Sequence, residues 1–413
     1  MAGSLIGSEI IKIGNEVNDM IRKGEQICNL TIGDFDPAIF PIPDGLQAEI
    51  TAAYQAGHTN YPPANGIADL REAAVAFTKD RLGLDYSPAD VLVAGGSRPL
   101  IYAAYLALVD PGDRVVFPIP SWNNNHYCHL SGAAPVAVET QPEHDFMPTA
   151  EELAPHLPGA TLLALCSPLN PTGTVFGRAT LEAICDLVLA ENRRRGPQEK
   201  PLYLLYDQIY WLLTFGQTEH HDPVNLRPEL RPYVVYIDGI SKSLAATGVR
   251  VGYAFGPTEV IDKMKAILGH VGAWAPKAEQ VAVARYLPET SAVHQFVADF
   301  KARIQHSLDA LHRGLQDLKA QGYPVDSIAP MGAIYLTAKL DVLGRATPAG
   351  QVLRTTKELT SYLIAEARLA LVPFSAFGTA GTAPWFRMSV GGESLDSILA
   401  ALPRLQTALD ALR

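Results

Sequence analysis

The stretch DGISKSLAATGVRVGY, residues 238–253, places a lysine and an arginine just beyond a predicted buried strand. Lys242 lies between Ser241 and Ser243, five residues after the end of the apolar run VVYI (234–237), and Arg250 comes eight residues later. A single lysine is usually a solvated surface residue. A lysine that can form a Schiff base, near an arginine that can fork onto a phosphate, is instead what an aldehyde phosphate cofactor needs. The stretch therefore predicts a cofactor site at a strand end.

An acidic residue ends another apolar run, LYLLY (202–206). A carboxylate such as Asp207 is costly to bury unless it is paired, and a helix N-cap is the simplest structural explanation for it. The functional explanation is a carboxylate that faces a protonated pyridine nitrogen. That contact keeps the ring cationic, so the cofactor can take up carbanion electrons. Tyr210 lies three residues later, where its phenol could reach the ring hydroxyl.

Three further turns carry polar or aromatic groups. SPLNPTG (167–173) has turn chemistry, and it is either a plain loop or a loop that gives Asn170 an amide donor to the same ring hydroxyl. GGS (95–97) lies between a strand and a helix, where free N–H groups and the helix dipole favour a phosphate. A tight turn alone would need the same glycines. Trp122 could stack on an aromatic ring or simply fill the core.

Apolar runs alternate with helical periods along most of the chain. Residues 67–82, 97–108 and 179–194 have the spacing of helices. The strand patterns are VLVA (91–94), RVVF (114–117), VAVE (136–139), LLALC (162–166), LYLLY (202–206), VVYI (234–237) and VGYAF (251–255). This alternation predicts an α/β fold with a largely parallel sheet covered on both faces. Ligands of such sheets bind beyond the carboxyl ends of the strands, where the polar residues described above are found.

The pattern changes after about residue 290. The later elements are one long helix, a strand and two more helices, expected at 291–321, 333–338, 350–368 and 394–412. We therefore expect a large domain over 49–290 and a smaller α+β domain over 291–413. An N-terminal segment over 1–48 is expected to pack with the smaller domain.

Composition and charge exclude several classes of protein. With 413 residues, 48% of them hydrophobic, the chain is not expected to be disordered. Its net charge of −10 gives no broad electrostatic reason to bind nucleic acid or anionic membrane. Four cysteines without zinc spacing predict free thiols in a reducing cytosol and no metal site. No signal peptide or membrane-spanning run is evident, so we expect a cytoplasmic protein.

The motifs read, in chain order, GGS, SW, NPTG, D-x-x-Y, SK and R-x-G-Y. In this combination the chain resembles the class I/II aminotransferases, fold-type I enzymes that depend on pyridoxal 5′-phosphate (PLP), over essentially its whole length. The spacing of 35 residues from Asp207 to Lys242 also fits this family (242 − 207 = 35). The resemblance implies a large domain with a mostly parallel seven-stranded sheet sandwiched by helices, plus the smaller α+β domain.

The resemblance also implies roles for the cofactor-binding residues. Lys242 would hold PLP as the internal aldimine and later shuttle the proton, and Asp207 would pair with the pyridinium nitrogen. Tyr210 and Asn170 would hydrogen-bond the ring oxygen, and Trp122 would cover one ring face. The residues implied around the phosphate are Gly95, Gly96, Ser97, Ser241 and Arg250.

Substrate contacts and a partner subunit are implied in the same way. Arg387, in PWFRMSVGG (384–392), resembles the arginine that clamps the substrate α-carboxylate, a task that suits a bidentate guanidinium. Gly33 resembles a glycine whose backbone lies near that carboxylate. Two of the cofactor residues, Asn170 and Trp122, are also expected to touch the substrate. Tyr61 resembles the tyrosine that reaches the other subunit's phosphate, which implies a homodimer with a shared active site.

The sequence departs from the family pattern in three places. Gly239 stands where many relatives have the first serine of Ser-x-Ser-Lys, so one phosphate hydroxyl is missing. Arg98, after the GGS turn, has no assigned role, although a second anion contact is open to it. Residues 268–280 contain no arginine, although some relatives recognise the substrate side chain from this region. The amino donor therefore stays open between aspartate, aromatic and other amino acids.

The implied reaction is reversible transfer of an amino group from an L-amino acid to a 2-oxo acid, commonly 2-oxoglutarate, by a ping-pong mechanism. A PLP lyase, either β-eliminating or cyclising, would use the same residues because it begins with the same carbanion. A non-catalytic PLP-binding regulator is a third interpretation. The acidic charge and the lack of a nucleic-acid signature disfavour it.

Overall fold

The computed structural model describes residues 9–413, so the first eight residues of the predicted N-terminal segment lie outside the described part. Its helices are α1 (Glu9–Arg22), α2 (Asp44–Gln55), α3 (Ala68–Leu82), α4 (Ser97–Leu108), α5 (Asn124–Ser131), α6 (Ala150–Leu153), α7 (Arg178–Arg195), α8 (Pro223–Leu226), α9 (Ile240–Ser243), α10 (Thr258–Val271), α11 (Lys277–Tyr286), α12 (Thr290–Ala320), α13 (Thr356–Ala367) and α14 (Leu395–Asp410). Its strands are β1 (Cys28–Asn29), β2 (Val91–Ala94), β3 (Arg114–Ile119), β4 (Ala134–Glu139), β5 (Ala160–Cys166), β6 (Tyr203–Asp207), β7 (Val234–Gly239), β8 (Gly252–Phe255), β9 (Val325–Ser327), β10 (Tyr335–Leu340), β11 (Leu369–Ala370), β12 (Val372–Pro373) and β13 (Trp385–Ser389). Every strand and helix expected from the sequence has a counterpart among them.

The largest sheet has seven strands in the order β2-β8-β7-β6-β5-β3-β4. The strands run parallel, as predicted, except that β8 is antiparallel to both of its neighbours. A parallel return to the sheet usually needs a crossover helix of a dozen residues or more. The link between β7 and β8 holds only the single-turn helix α9, so the chain turns back along β7 instead. This reversal keeps both Lys242 and Arg250 at the carboxyl end of β7.

Both faces of this sheet are buried, because its side chains alternate between two apolar clusters. On β5, Leu163 and Leu165 point into the cluster that includes α7, while Leu162 points into the cluster that includes α4. On β7 the same alternation separates Tyr236 from Ile237. Strands that are apolar on both sides are typical of a sheet sandwiched by helices, as the sequence predicted.

The C-terminal part forms a second, four-stranded antiparallel sheet in the order β12-β13-β10-β9. It packs with α12, α13 and α14 around a separate apolar cluster. The N-terminal segment joins this cluster: Leu30 and Phe35 lie there with Phe300 and Ile304 of α12. Strand β1 also pairs in parallel with β11. These contacts bring residues from both ends of the chain to one side of the large sheet.

One helix begins later than the sequence suggests. The apolar pattern predicts a helix over 350–368, whereas α13 begins at Thr356. Thr355 is the N-cap: its hydroxyl accepts a hydrogen bond from the Glu358 N–H, and the Glu358 carboxylate accepts one from the Thr355 N–H. This capping box fixes the start of the helix, and the preceding residues form a turn instead. Among the described residues, no helix is both long and apolar enough to cross a bilayer.

Candidate active site

A cavity of about 610 Å³ lies at the carboxyl ends of β5, β6 and β7. Its wall is built from these strand ends, the first turn of α4, the N-terminal segment and the C-terminal sheet. The residues predicted from the sequence that line it are Gly33, Ser97, Trp122, Asn170, Asp207, Tyr210, Ser241, Lys242, Arg250 and Arg387. Folding therefore brings most of the predicted site together in one space.

Lys242 lies on α9, directly after β7, and its amine is surrounded by protein at the edge of the cavity. Its Nζ donates a hydrogen bond to the carbonyl oxygen of Gly33 at 2.5 Å. Burial lowers the pKa of Lys242 to about 8, although the nearby carboxylate of Asp34 opposes this shift. Positive charge on the arginines around the cavity lowers this pKa further. A considerable fraction of the amine is thus neutral near pH 8, and the neutral amine is the nucleophilic form.

Asp207 is the last residue of β6, and its carboxyl group faces the cavity. Burial raises the pKa of Asp207 to about 6, because only the N–H of Ile209, 3.1 Å away, stabilises the ionised form. Within the described chain no cation pairs with this carboxyl group. A buried carboxylate without a cation is costly. Asp207 is therefore suited to a positively charged group placed in the cavity.

Arg250 lies two residues before Gly252, which pairs with Gly239 at the carboxyl end of β7, and it is next to the GGS turn. Its Nη2 donates to the carbonyl oxygen of Gly95 at 2.7 Å, and its Nη1 donates to the carbonyl oxygen of Thr247 at 2.6 Å. Ser97 begins α4, whose first N–H groups have no partners within the helix. A guanidinium beside a helix N-terminus is a favourable place for a phosphate.

The glycine at position 239 has a steric cause. Gly239 has a φ of 155°, and a Cβ there would lie 2.8 Å from the Cα of Gly252 on β8. A Cβ on Gly252 would in turn lie 2.6 Å from the carbonyl carbon of Gly96. The ends of β7 and β8 and the turn before α4 are thus in backbone contact. A serine at position 239 would not fit, which accounts for this departure from the family pattern.

Arg387 lies on β13 and is only 1% exposed. Its Nη1 donates to Asn170 Oδ1 at 3.0 Å, and its Nη2 donates to the carbonyl oxygen of Thr31 at 2.6 Å. Its Nε is buried without a partner. The guanidinium also stacks 4.6 Å from the ring centre of Tyr335. No carboxylate of the described chain pairs with this buried cation, so it is suited to an anion that enters the cavity.

Two phenols meet at the floor of the cavity. The hydroxyl oxygens of Tyr210 and Tyr335 are 2.5 Å apart, and both side chains are buried. Because Asn170 Oδ1 accepts from Arg387, its amide N–H groups are left as the donors that line the cavity. The cavity thus offers both hydroxyl and amide donors, and their assignment to a cofactor ring oxygen stays a prediction.

Trp122 lines the cavity and is covered by a cation. The guanidinium carbon of Arg98 lies 5.2 Å from the centre of its ring. Arg98 makes no hydrogen bond or ion pair with any residue from 9 to 413 and borders the cavity itself. Its positive charge is therefore available to a ligand.

Comparison with known proteins agrees with this geometry. The sequence profile of the family "Aminotransferase class I and II" matches residues 25–402. The chain belongs to this family. It is 31% identical to the aspartate aminotransferase of Geobacillus stearothermophilus, over 99% of this chain and 98% of that one. It is 30% identical to the aspartate/prephenate aminotransferase of Cereibacter sphaeroides, over 92% and 91% of the two chains.

Solved structures give the same result. The crystal structure of the aspartate aminotransferase from Rhizobium meliloti is similar, with a TM-score of 0.90 and 29% identity over 100% of this chain and 98% of that chain. The predicted family, fold class and enzyme class are thereby confirmed. The chain is a PLP-dependent aminotransferase, which acts on amino acids and 2-oxo acids.

The residues of this aminotransferase fit PLP. An amine with a lowered pKa, Lys242, shares the cavity with Asp207, a carboxyl group that lacks a cation. Donors for a phosphate stand at Arg250 and the start of α4, and donors for a ring oxygen stand at Tyr210 and Asn170. A cationic ring that carries an anionic phosphate and a phenolic oxygen would satisfy each of these groups.

Three predicted cofactor residues do not line the cavity. Gly95 and Gly96 form the turn behind Ser97, and Gly95 contributes its carbonyl oxygen to Arg250. Tyr61 is 81% exposed and packs its ring 5.4 Å from that of Trp274 on the surface. A tyrosine so exposed in one chain is available to a second chain.

Sequence reasoning missed several residues of the aminotransferase site. Asp34 accepts a hydrogen bond from Thr247 Oγ1 at 2.5 Å and lies near the amine of Lys242. The hydroxyl of Tyr335 contacts that of Tyr210, and the ring of Tyr335 contacts the guanidinium of Arg387. The only signal for Asp34 was its place directly after Gly33. Tyr335 had none, because a tyrosine inside a strand pattern is typical of an ordinary core residue.

Proposed function

We propose that this aminotransferase takes the amino group from an acidic L-amino acid and passes it to 2-oxoglutarate in a ping-pong reaction, with Lys242 as the proton-transferring residue. The observation that carries this proposal is that Lys242, Asp207 and Arg387 border one cavity. When bound, PLP supplies the electron sink that stabilises the charge left by loss of the α-proton. The remaining tasks fall to side chains of this chain.

Each task has a residue with suitable chemistry. Arg387 holds the substrate α-carboxylate through its buried guanidinium, which positions the α-carbon above Lys242. The Lys242 amine, once neutral, accepts the α-proton at Nζ and later returns it. Asp207 stays ionised opposite a cationic ring nitrogen, and Tyr210 and Asn170 donate to the ring oxygen. Arg250, Ser97, Ser241 and the turn at Gly95 and Gly96 bind the phosphate, and Trp122 covers the ring.

A two-stage assay tests this reaction. The PLP-loaded enzyme is mixed with L-aspartate alone, and one equivalent of oxo acid per site should form while the visible spectrum of the cofactor changes. Added 2-oxoglutarate should then restore the first spectrum. Lys242→Ala should lose multiple turnover, whereas Lys265→Ala, a surface control on α10, should not. Ammonia and pyruvate formed from an amino acid without an acceptor would instead indicate a lyase.

The acidic donor is inferred from charge. The cavity holds four cations, of which Lys242 binds the cofactor, Arg250 faces the phosphate and Arg387 faces the α-carboxylate. Arg98 is the cation left over. A second carboxylate on the substrate would pair with it next to Trp122. The similar proteins named above are aspartate or aspartate/prephenate aminotransferases, which supports this choice.

Arg98→Gln tests the donor class. We expect KM for L-aspartate and for 2-oxoglutarate to rise roughly 10- to 100-fold, because a charge pair in a partly closed site is lost. KM for L-alanine should stay nearly unchanged. Weaker PLP binding with no discrimination between substrates would mean that Arg98 serves the phosphate instead.

The shared active site is the second part of the proposal. Tyr61, Tyr54 and Val271 are among the exposed large apolar side chains of the described residues, which supports a homodimer that covers such surface. In such a dimer Tyr61 reaches the partner's phosphate site. Mixing Tyr61→Ala and Lys242→Ala chains should then restore activity, because one site of each mixed dimer has both residues. No recovery, with a monomer in light scattering, would contradict the dimer.

The separation of the seven-stranded sheet from the four-stranded sheet supports a division into two domains. We assign 49–290 to a large PLP-binding domain and 291–413 to a small one, and we assign 1–48 to a segment that packs with the small domain. The pairing of β1 with β11 supports this division for the described residues. Four free cysteines support a reducing, cytoplasmic location.

A further inference from the structure

The four-stranded sheet contacts the loop SPLNPTG (167–173) through two buried polar side chains. Thr337 on β10 lies directly opposite Arg387 on β13, so both side chains project from the same face of the sheet. Arg387 Nη1 donates to Asn170 Oδ1 at 3.0 Å. Thr337 Oγ1 donates to the carbonyl oxygen of Thr172 at 2.7 Å. Both residues of the sheet are 1% exposed, and together they hold two nearby positions of one loop.

The backbones of this loop and of the four-stranded sheet are also in contact. The Gly332 N–H, just before β10, donates to the carbonyl oxygen of Gly173 at 2.8 Å. Gly173 has a φ of 72°, and a Cβ there would lie 2.1 Å from the carbonyl oxygen of Tyr335. No side chain fits between the loop and the strand, so the loop lies directly on β10. A change in their separation would therefore move the residues that each of them carries.

The other end of the loop is attached to the seven-stranded sheet. The Ser167 N–H donates to the carbonyl oxygen of Asp207 at 3.0 Å, which joins the start of the loop to the end of β6. In the proposed reaction Asp207 and Asn170 contact the cofactor, whereas Arg387 holds the substrate α-carboxylate. The loop therefore connects the residues that hold the cofactor to the strand pair that carries Arg387.

Amino transfer depends on the distance between these two sides, because the amino acid touches both at once. Its carboxylate is held by Arg387, while its nitrogen and α-carbon must reach the cofactor and Lys242. A misplacement of about 1 Å can lower the rate of a reaction by roughly two orders of magnitude. Thr337 and Thr172 do not line the cavity, so no ligand in it competes for their hydrogen bond. This bond is therefore suited to hold the distance whether the cavity is empty or filled.

We infer that Thr337 is a positioning residue whose hydrogen bond to Thr172 fixes the place of Arg387 relative to the cofactor-binding loop. Without the hydroxyl, the loop and β10 are held together less closely. A ligand that spans both sides then fits less well, whereas a ligand that touches only one side binds as before. This inference rests on the proposed function and adds a residue that determines the rate of amino transfer without touching the substrate.

Single-turnover kinetics of Thr337→Val test the inference, because valine keeps the shape of the side chain and replaces the hydroxyl by a methyl group. The PLP-loaded enzyme is mixed with L-aspartate or L-alanine without an acceptor, and stopped-flow absorbance follows the cofactor. The rate constant at a saturating donor concentration should fall roughly 10-fold for both amino acids, since both place an α-carboxylate on Arg387. Arg98→Gln, by contrast, should raise KM for L-aspartate and leave that for L-alanine nearly unchanged.

Two equilibrium measurements use ligands that touch one side only. Propionate has a carboxylate for Arg387 but no amine, and quenching of tryptophan fluorescence in the PLP-loaded enzyme reports its binding. PLP itself binds on the loop side, and equilibrium dialysis with the cofactor-free protein gives its dissociation constant. Both dissociation constants should stay within about twofold of the wild-type values, because Thr337→Val changes the spacing of the two sides and neither side itself.

Two control variants separate spacing from a general loss of stability. Thr337→Ser keeps the hydroxyl and should restore most of the rate. Thr360→Val removes another buried hydroxyl, which donates to the carbonyl oxygen of Thr356 at 2.9 Å within α13. It should leave the rate constant unchanged. If Thr337→Val does not fold, Thr337→Ala removes the same hydroxyl and takes its place.

The outcomes distinguish failure of this inference from failure of the proposed function. A wild-type rate constant in Thr337→Val, an equal loss in Thr360→Val, or no recovery in Thr337→Ser would overturn the role of Thr337 while leaving amino transfer intact. Binding of propionate or PLP weakened by about tenfold would also overturn it, because the hydroxyl would then shape one side of the cavity. If no L-amino acid changes the cofactor spectrum of the wild-type enzyme, both proposals fail.

Discussion

Two carboxyl groups on neighbouring strands, Asp207 and Asp238, have contrasting surroundings. Asp207 ends β6 and faces the cavity, where a single N–H, that of Ile209, contacts it. Asp238, on β7, is enclosed in the core and accepts hydrogen bonds from Trp211 Nε1 at 2.9 Å, from Gln208 Nε2 at 3.3 Å and from the Gly239 N–H at 2.7 Å. The protein itself satisfies the second carboxyl group and leaves the first incomplete.

The contrast teaches where a ligand is expected. Burial raises the pKa of Asp207 to about 6 and that of Asp238 to about 8, so a shifted pKa alone does not distinguish the two. What differs is the number of hydrogen-bond donors that the protein places around each carboxyl group. Asp238 has three donors inside a closed core, whereas Asp207 shares an open cavity with the amine of Lys242 and the guanidinium of Arg387. An incomplete set of partners, more than burial, marks the functional carboxylate.

The largest effect on catalysis is expected from Asp207→Asn, and it tests the difference between the two carboxyl groups. The amide keeps the size of the side chain but cannot pair with a cationic ring, so kcat/KM should fall by roughly 10³-fold, about 4 kcal/mol in transition-state stabilisation. Steady-state kinetics with saturating PLP would measure it. Asp238→Asn, the matched change in the closed core, should keep most of the activity. Equal losses in the two variants would remove the distinction between the two sites.

Asp238 should contribute more than Asp207 to the free energy of unfolding. In Asp238→Ala the N–H groups of Trp211 and Gly239 lose their acceptor, so the free energy of unfolding of the cofactor-free protein should fall by about 2–4 kcal/mol. Urea denaturation would measure it. Asp207→Ala should cost less, because it strands only the Ile209 N–H. A larger loss for Asp207→Ala would show that the cavity carboxylate is structural.

Because the pKa of Asp238 is raised in the folded state, the free energy of unfolding should depend on pH. In the folded state the Asp238 carboxyl group keeps its proton up to about pH 8, whereas in the unfolded chain it releases the proton near the ordinary pKa of 3.8. Wild-type stability should therefore fall as pH rises between these values, by at most roughly 1.4 kcal/mol per pH unit. The cost of Asp238→Asn should be largest near pH 4 and shrink toward pH 8.

Much of this arrangement was predictable from the sequence, because it follows from local patterns. Apolar runs closed by polar residues identify strand ends: Asp207 follows such a run directly, and Asn170 and Lys242 follow within about five residues. The family motif then identifies Arg387. The antiparallel direction of β8 was not predictable, because a short apolar run has the same pattern in either direction.

Other features of the site depend on contacts between distant segments. Tyr335 meets Tyr210 only after the residues before β10 pair with the segment after Tyr210, where the Ala333 N–H donates to the carbonyl oxygen of Leu213. The period-two pattern of β10 makes Tyr335 look like a core residue. The stacking of Arg98 on Trp122 and the bond from Thr247 to Asp34 likewise join separate turns. No local spacing encodes such pairs, so only the folded structure reveals them.

A smaller effect is expected at Lys242, in the same cavity as Asp207, and it concerns how the rate of PLP capture depends on pH. Burial lowers the pKa of its amine to about 8, and only the neutral amine condenses with an aldehyde. The rate at which the cofactor-free enzyme captures PLP should rise about tenfold per pH unit below pH 8 and level off above it. Stopped-flow absorbance would follow this capture. A rate that keeps rising to pH 10 would mean that Lys242 titrates as a solvent-exposed lysine.

The smallest effect concerns His220, on the closed-core side. Its ring lies 6.3 Å from that of Trp211, and both of its nitrogens are buried without a partner in the described chain. Burial lowers its pKa to about 3, so the folded state keeps it neutral while the unfolded chain gains a proton below about 6.5. Stability should therefore fall as pH drops from 6.5 toward 3.

Replacing His220 with an apolar side chain should remove the free-energy cost of burying its two unpaired nitrogens. We expect His220→Phe to raise the free energy of unfolding by about 1 kcal/mol at pH 7.5 and by more at pH 5, because two unpaired polar atoms are removed. His312→Phe is the control, since His312 Nδ1 lies 2.8 Å from Ser327 Oγ and would lose that hydrogen bond. It should destabilise the protein at pH 7.5. A destabilised His220→Phe would mean that the histidine ring has a hydrogen-bond partner in this core, such as a buried water.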